Sequence, residues 1–268
     1  KILICSPVWL NIFKLLEKEK IIDKNKKVYF HLVDDPQSYI HLKFYLKKFK
    51  IKLNSLSGTI SPNLKLLNKF SLNKYSDFEI KHGFHIALPK DRYLSSKINR
   101  QRSIVYAGTF ANWCDYKLIK NISIEFPDIK IYLVGKVARN LSSNKLNYLK
   151  KCKNINLIDS LSRKDLHNFL LEMYISIIPY IPHDDHIKYS SPSKIMDYLG
   201  CGLPVISTDI FYCKNHKFVK VAKDHAEFID YIYYFLNIEK IDRKEMIDYA
   251  ICNCWEKKVN KLLLEINN

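Results

Sequence analysis

Ser190, Ser191, Pro192, Ser193 and Lys194 follow one another directly, at the entry to a short apolar-faced segment, 193–199. A turn that feeds straight into a helix leaves backbone N–H groups unpaired at the positive end of the helix dipole, which makes an anion site. Lys194, in the first turn, adds a mobile cation of the kind that suits a phosphate. Ser190 or Ser191 is placed to cap the helix, with Pro192 at a favoured first-turn position. The same residues also describe an ordinary capped helix in an α/β protein. Other candidates stand at strand ends, where parallel sheets bind ligands: Gly108-Thr109, and Lys136 just after Gly135. Lys136 reads equally as a solvated loop lysine. Asp34 and Asp35 close another strand and are the carboxylates best placed for a general base, or for a turn before Pro36. His183-Asp184-Asp185-His186 lacks a helix or a fixed partner set, so no metal site is expected there.

The elements that must position these groups alternate from residue 102 on. Strands at 104–107, 129–134, 155–158, 175–179 and 204–208 are separated by helices at 116–125, 141–151, 163–171 and 193–199, and helices at 226–236 and 243–266 follow. Such βαβ alternation predicts a doubly wound parallel sheet. The first hundred residues are less regular. Strands are expected at 2–5, 28–33, 57–60 and 78–81, with helices at 38–49 and 62–70. The charged stretch 90–102 reads as the linker between an N-terminal domain, 1–95, and a C-terminal domain, 96–268.

At 268 residues and 47% hydrophobic content, with a mean hydropathy of −0.19, the chain suits a globular protein with a sizeable core. No apolar run is long enough to span a bilayer and no signal peptide opens the sequence, although Lys1 suggests that the natural beginning is missing. Seven scattered cysteines without a C-x-x-C pair favour a reduced, cytoplasmic setting. The net charge of +17 favours anionic partners, but Lys, Ile, Asn and Tyr are abundant throughout, as biased codons alone produce. The segment 43–50 interleaves lysines with aromatic residues, which fits a membrane-surface patch and equally a solvated helix face.

The string from Tyr189 to Thr208 resembles the donor-site segment of GT-B glycosyltransferases of the family-4-like group, S-P-x-K-x-x-E-Y-L-x-x-G-x-P-V-I-x-T. Ser191, Pro192, Lys194, Tyr198, Leu199, Gly202, Pro204, Val205, Ile206 and Thr208 match it. Asp197 occupies the place of the usual glutamate, which in relatives holds hydroxyls of the donor ribose or sugar, and Tyr189 stands where many members carry a second glutamate. Residues 106–115, 126–128 and 133–135 are similar to the start of a GT-B C-terminal domain in enzymes that build bacterial surface polysaccharides. Residues 154–166 resemble the stretch whose backbone meets the nucleotide base, and Trp255-Glu256 also matches. In the first half, 28–35, 61–64 and His82-Gly83-Phe84 are similar to that group. Where many relatives have an arginine after the glycine of the first strand, this chain has Thr109, Asn112 and Lys117.

The resemblance implies two Rossmann-like doubly wound domains, the N-terminal one truncated or reduced. It implies a metal-independent glycosyltransferase that needs no cofactor and takes a nucleotide-diphosphate sugar as donor. The donor site would comprise Gly108, Thr109, Lys136, Ser191, Ser193, Lys194 and Asp197, with Asp34 and Asp35 as candidate bases. The acceptor would be a cell-surface glycan or a lipid-linked precursor, met in the cytoplasm or at an anionic inner membrane face. Two other classes compete: a sugar-nucleotide epimerase of GT-B fold, whose characteristic acidic and histidine residues are absent, and a basic nucleic-acid-binding module, which only the charge favours and no recognition motif supports.

Overall fold

The computed structural model describes residues 2–21, 26–38, 46, 49–70 and 77–267. Two compact units emerge: residues 1–82 with 188–191 and 258–268, and residues 83–187 with 192–257. Both are built on parallel sheets.

In the first unit, β1 (Ile2–Ile4), β2 (Val28–His31), β3 (Gly58–Ser61) and β4 (Phe78–Glu79) pair in sequence order. A helix that the sequence reading did not place, α1 (Pro7–Lys18), follows β1. Its signals are local: the Ser6 side chain accepts from the Val8 N–H, Pro7 takes the first turn, and Leu10 and Phe13 face inward. Short helices α2 (Phe49–Asn54) and α3 (Leu64–Phe70) complete the core, where Phe49 meets Phe30 and Phe70 edge to face, each at 5.5 Å. The basic helix expected at 38–49 falls largely outside the described residues.

In the second unit, α4 (Lys90–Tyr93) precedes β5 (Ser103–Ala107). Residues 83–95 belong to this unit, because Phe84, Leu88 and Tyr93 are buried in its core. Then come α5 (Tyr116–Glu125), β6 (Lys130–Val134), α6 (Ser143–Lys150), β7 (Ile155–Ile158), α7 (Arg163–Leu171) and β8 (Ile175–Ile178). After them follow α8 (Lys194–Gly200), β9 (Val205–Thr208), β10 (Val219–Ala222), α9 (His225–Asn237) and α10 (Arg243–Cys252); the last helix, α11 (Trp255–Asn267), starts in this unit and from Lys258 on is counted with the first. The strand order β10-β9-β8-β5-β6-β7 reverses direction between β5 and β8, the point at which α/β sheets open a crevice beyond their strand ends.

The single helix expected over 243–266 is two helices. Phe84 donates to Asn253 O and accepts from the Trp255 N–H, both at 3.0 Å, and this strand-like bridge breaks the helix around Cys254. The strand β10 was also not foreseen; its V-K-V-A sequence is half exposed and short. All seven cysteines are free thiols, and among the described residues no helix is long and apolar enough to cross a membrane.

Two arginines finish the helix ends away from the crevice. Arg100 donates to Met173 O and Cys201 O, and Arg243 to Tyr174 O and Gly202 O. Burial pulls both guanidinium groups down to about 10, with their mutual repulsion adding to the shift at Arg100. Arg243→Ala strands two carbonyls and is expected to cost about 1–3 kcal/mol in a denaturant titration. An unchanged midpoint would mean that water replaces the guanidinium at no cost.

Candidate functional site

The loops after β5 and β6 are zipped together at the crevice. Gly108 N–H donates to Val134 O, and Phe110 N–H to Lys136 O, each at 2.8 Å. The approach is so close that a Cβ on Gly135 would lie 2.0 Å from Gly108 O. A cavity of about 400 Å³ opens beside these glycines. Ala107, Gly108 and Thr109 form one wall, Val134, Gly135 and Lys136 a second, Ser160, Leu161 and Leu166 a third, and Ser193, Lys194 and Asp197 a fourth.

Lys194 lies against Gly108, where a Cβ would stand 2.8 Å from its Cε and 3.1 Å from its Nζ. Its ammonium donates to the Tyr180 hydroxyl and sits 4.8 Å from the Tyr180 ring centroid and 5.5 Å from that of Tyr106. Among the described residues no carboxylate lies within ion-pairing distance of it. A half-buried cation among two aromatic faces and a hydroxyl is only partly compensated, and an anion in the cavity would complete its surroundings. The tyrosines are fixed in turn. Tyr106 donates to Thr109 O at 2.9 Å, and the Tyr198 hydroxyl accepts from the Ala107 N–H at 2.7 Å. Burial raises the pKa of both phenols, so they stay protonated.

Asp197, one turn along α8, is paired with Arg163 at 3.2 Å and with His167 Nε2 at 3.2 Å. Neither partner was anticipated. Both stand on α7, four residues apart and so on one face, which is the signal the sequence offered.

Six of the seven expected donor-site residues line the cavity: Gly108, Thr109, Lys136, Ser193, Lys194 and Asp197. Ser191 groups with the first unit. The expected cap is not made: Ser193 is the N-cap, in helical backbone conformation and without a side-chain bond, and the buried hydroxyls of Ser190 and Ser191 have no partner among the described residues. Ser193 follows a proline whose carbonyl already bonds the Ile195 N–H, so the chain enters α8 through a tight turn rather than an extended cap. Lys136 is exposed.

Asn112 and Lys117 are not among the lining residues; Asn112 donates to Asn140 O and accepts from Lys145. Asp115 caps α5 through the Leu118 N–H and pairs with His225 at 2.7 Å, a loop-shaping role. In the first unit Asp34 is exposed and Asp35 is buried. Asp35 engages both oxygens, accepting from the Gln37 N–H at 3.0 Å and from Lys69 at 2.6 Å, which is the turn role before Pro36. Among the described residues no group of His, Cys, Asp or Glu is arranged to hold a metal ion; in the 183–186 loop Asp184 accepts from the His186 N–H.

No protein-family model matches the chain, and no curated protein matches its sequence. Solved structures do. Anabaena HepE in complex with UDP and glucose superposes with a TM-score of 0.74 at 13% identity, over 98% of this chain and 77% of that one. A variant of S. aureus TarM, in complex with fondaparinux, alpha-GlcNAc-glycerol and UDP, gives 0.69 at 13% identity, over 99% of this chain and 55% of that one. The fold is that of the GT-B glycosyltransferases.

The pneumococcal O-GlcNAc transferase GtfA in complex with UDP and GlcNAc adds a third likeness, 0.65 at 12% identity over 95% of this chain. The chain thus spans about three quarters of HepE and just over half of TarM and GtfA. The cavity beside Gly108 and Gly135 lies beyond the ends of β5 and β6, next to the point between β5 and β8 at which the second sheet reverses.

Proposed function

We propose that this chain is a glycosyltransferase that takes its sugar from a nucleotide diphosphate, with the cavity of the second unit as the donor site. The observation that carries the reading is Lys194, a half-buried ammonium with no carboxylate in reach among the described residues, at the wall of a cavity flanked by two glycines. A diphosphate supplies the missing negative charge. As a sugar leaves, charge builds on that diphosphate, and a pre-positioned cation stabilises it most at the moment of transfer. Lys136 is a second cation on the same cavity. Asp197 offers acceptor oxygens for the hydroxyls of ribose or sugar, and the backbone near Ser160 and Leu161 offers groups for the base.

The complexes of HepE, TarM and GtfA with UDP support a uridine nucleotide as the first ligand to try. On this reading protein cations do the work that a metal does elsewhere. The acceptor is a cell-surface glycan or a lipid-linked precursor; the basic segment 43–50 that would meet an anionic membrane lies largely outside the described residues. Asp34, exposed just past β2, remains a candidate for the base; Asp35 is buried and engaged by Lys69 and its own turn.

A thermal-shift panel of nucleoside diphosphates tests the donor site. At a hundredfold excess over its Kd a ligand adds about 2.7 kcal/mol of stability, an easily read shift. Stabilisation by UDP or GDP, followed by hydrolysis of one sugar nucleotide, is the expected result. No stabilisation by any nucleoside diphosphate, together with salt-sensitive retention on nucleic acid, would replace the transferase reading with a basic binding module.

A further inference from the structure

Among the described residues Asp197 is the one carboxylate lining the cavity, and it is held from behind by a chain of hydrogen bonds that starts at the backbone. The N–H groups of Ala87 and Leu88 donate to the Tyr93 hydroxyl at 3.0 and 3.1 Å. These bonds occupy both lone pairs of that oxygen, leaving only its proton for the next contact, His167 Nδ1 at 2.8 Å. Nδ1 is therefore an acceptor, and the ring proton sits on Nε2, which faces Asp197 Oδ1 at 3.2 Å. Burial raises the pKa of Tyr93, so the phenol keeps its donor.

The ring plane is fixed as well. Phe84 stacks on His167 at 5.5 Å with only 13° between the planes. Gly200 makes room for that stack, since a Cβ there would meet the Phe84 ring at 2.2 Å. Tyr93 and His167 are 1% and 0% exposed, and neither lines the cavity.

We propose that Tyr93 and His167 are a positioning pair for Asp197. They clamp one carboxylate oxygen and so present the remaining lone pairs, already oriented, to hydroxyl groups of the bound nucleotide. Arg163 also touches Asp197, but its side chain is half exposed, so solvent and salt weaken its hold. His167 donates from a site that water does not reach, and Tyr93 makes its tautomer single-valued. The proposal rests on the donor-site reading. It adds a prediction that the reading alone lacks: the hydroxyl-bearing part of the ligand depends on His167, and the diphosphate part does not.

The test compares UDP, which carries ribose hydroxyls, with inorganic pyrophosphate, which carries none, by calorimetric titration. His167→Leu is expected to weaken UDP about tenfold, the effect of losing one oriented charge-assisted hydrogen bond, while pyrophosphate binds as before. His167→Gln, whose terminal amide restores a donor at about the reach of Nε2, should recover most of the UDP affinity. Unchanged UDP binding by His167→Leu, or equal loss for both ligands, would overturn the pair as a positioning device. A wild type that binds pyrophosphate but not UDP overturns it too, and one that binds neither overturns the donor-site reading along with it. A second measurement needs no variant: the nitrogen-15 spectrum of the wild-type imidazole should show Nε2 protonated and Nδ1 bare, and the opposite tautomer would contradict the chain of bonds.

Discussion

Lys194→Ala is expected to weaken nucleoside diphosphate binding about ten- to a hundredfold, since a charge-assisted hydrogen bond to phosphate contributes about 1.5–3 kcal/mol. Turnover should fall further than affinity, because the ammonium matters most when the leaving diphosphate gains charge. The fold should notice little. Lys194 gives up one bond to Tyr180 and two ring contacts, at 4.8 and 5.5 Å, and the variant also removes a half-buried charge that has no carboxylate partner among the described residues. These terms oppose one another, so the melting temperature of the free protein should stay within a few degrees. The check is titration of UDP into wild type and variant, each with its melting curve. Equal affinities would make the lysine a structural spacer between two tyrosines, and the donor site would have to be sought elsewhere.

The second sheet was legible because its signals are local. The helices α5 and α7 begin where the sequence places them, since Asp115 and Ser162 are N-caps whose side chains accept from the Leu118 and Asp165 N–H groups. The strands β8 and β9, I-S-I-I and V-I-S-T, are buried at every position, as a sheet covered on both faces requires. What escaped was set at long range. The break around Cys254 comes from Phe84, about 170 residues away in the chain, and nothing near Cys254 announces it.

The site divides the same way. Gly108, Thr109, Lys136, Ser193 and Lys194 could be picked out one by one, because each stands just past a strand or at a helix start. The partners of Asp197 were not, since they come from another helix, and His167 is held in turn by Tyr93, in a segment whose charge reads as linker. Asp35 shows the complementary error of scale: a carboxylate at a strand end suits a base, but Lys69, on a helix beyond the next strand, claims it.

Gly135→Ala should have the largest effect of any single methyl group added to the second unit. The new Cβ would lie 2.0 Å from Gly108 O and 2.7 Å from Gly108 C, and both are backbone atoms that no rotamer change can move aside. Gly135 also has a φ of +149°, which L side chains rarely adopt. Relief requires the loops after β5 and β6 to part, which lengthens the bond from Gly108 N–H to Val134 O and carries Gly108 away from Lys194. Overpacking and backbone strain each cost about 1–3 kcal/mol, and part of the strain relaxes when the loops move, so a loss of roughly 2–4 kcal/mol is expected. For a domain of this size that lowers Tm by about 5–15 °C. Nucleotide binding should vanish at temperatures where the variant is still folded, because the cavity wall itself has shifted.

Gly202→Ala is the control. Its φ of +69° is left-handed, so alanine there costs about 1–2 kcal/mol, yet its neighbours are Arg243, Arg100 and Ile247, and it does not line the cavity. That variant should melt earlier and still bind UDP like the wild type. If both glycine variants lost UDP in proportion to their lost stability, the close approach of Gly108 and Gly135 would be a matter of folding alone. Only a loss confined to Gly135→Ala ties that approach to the ligand.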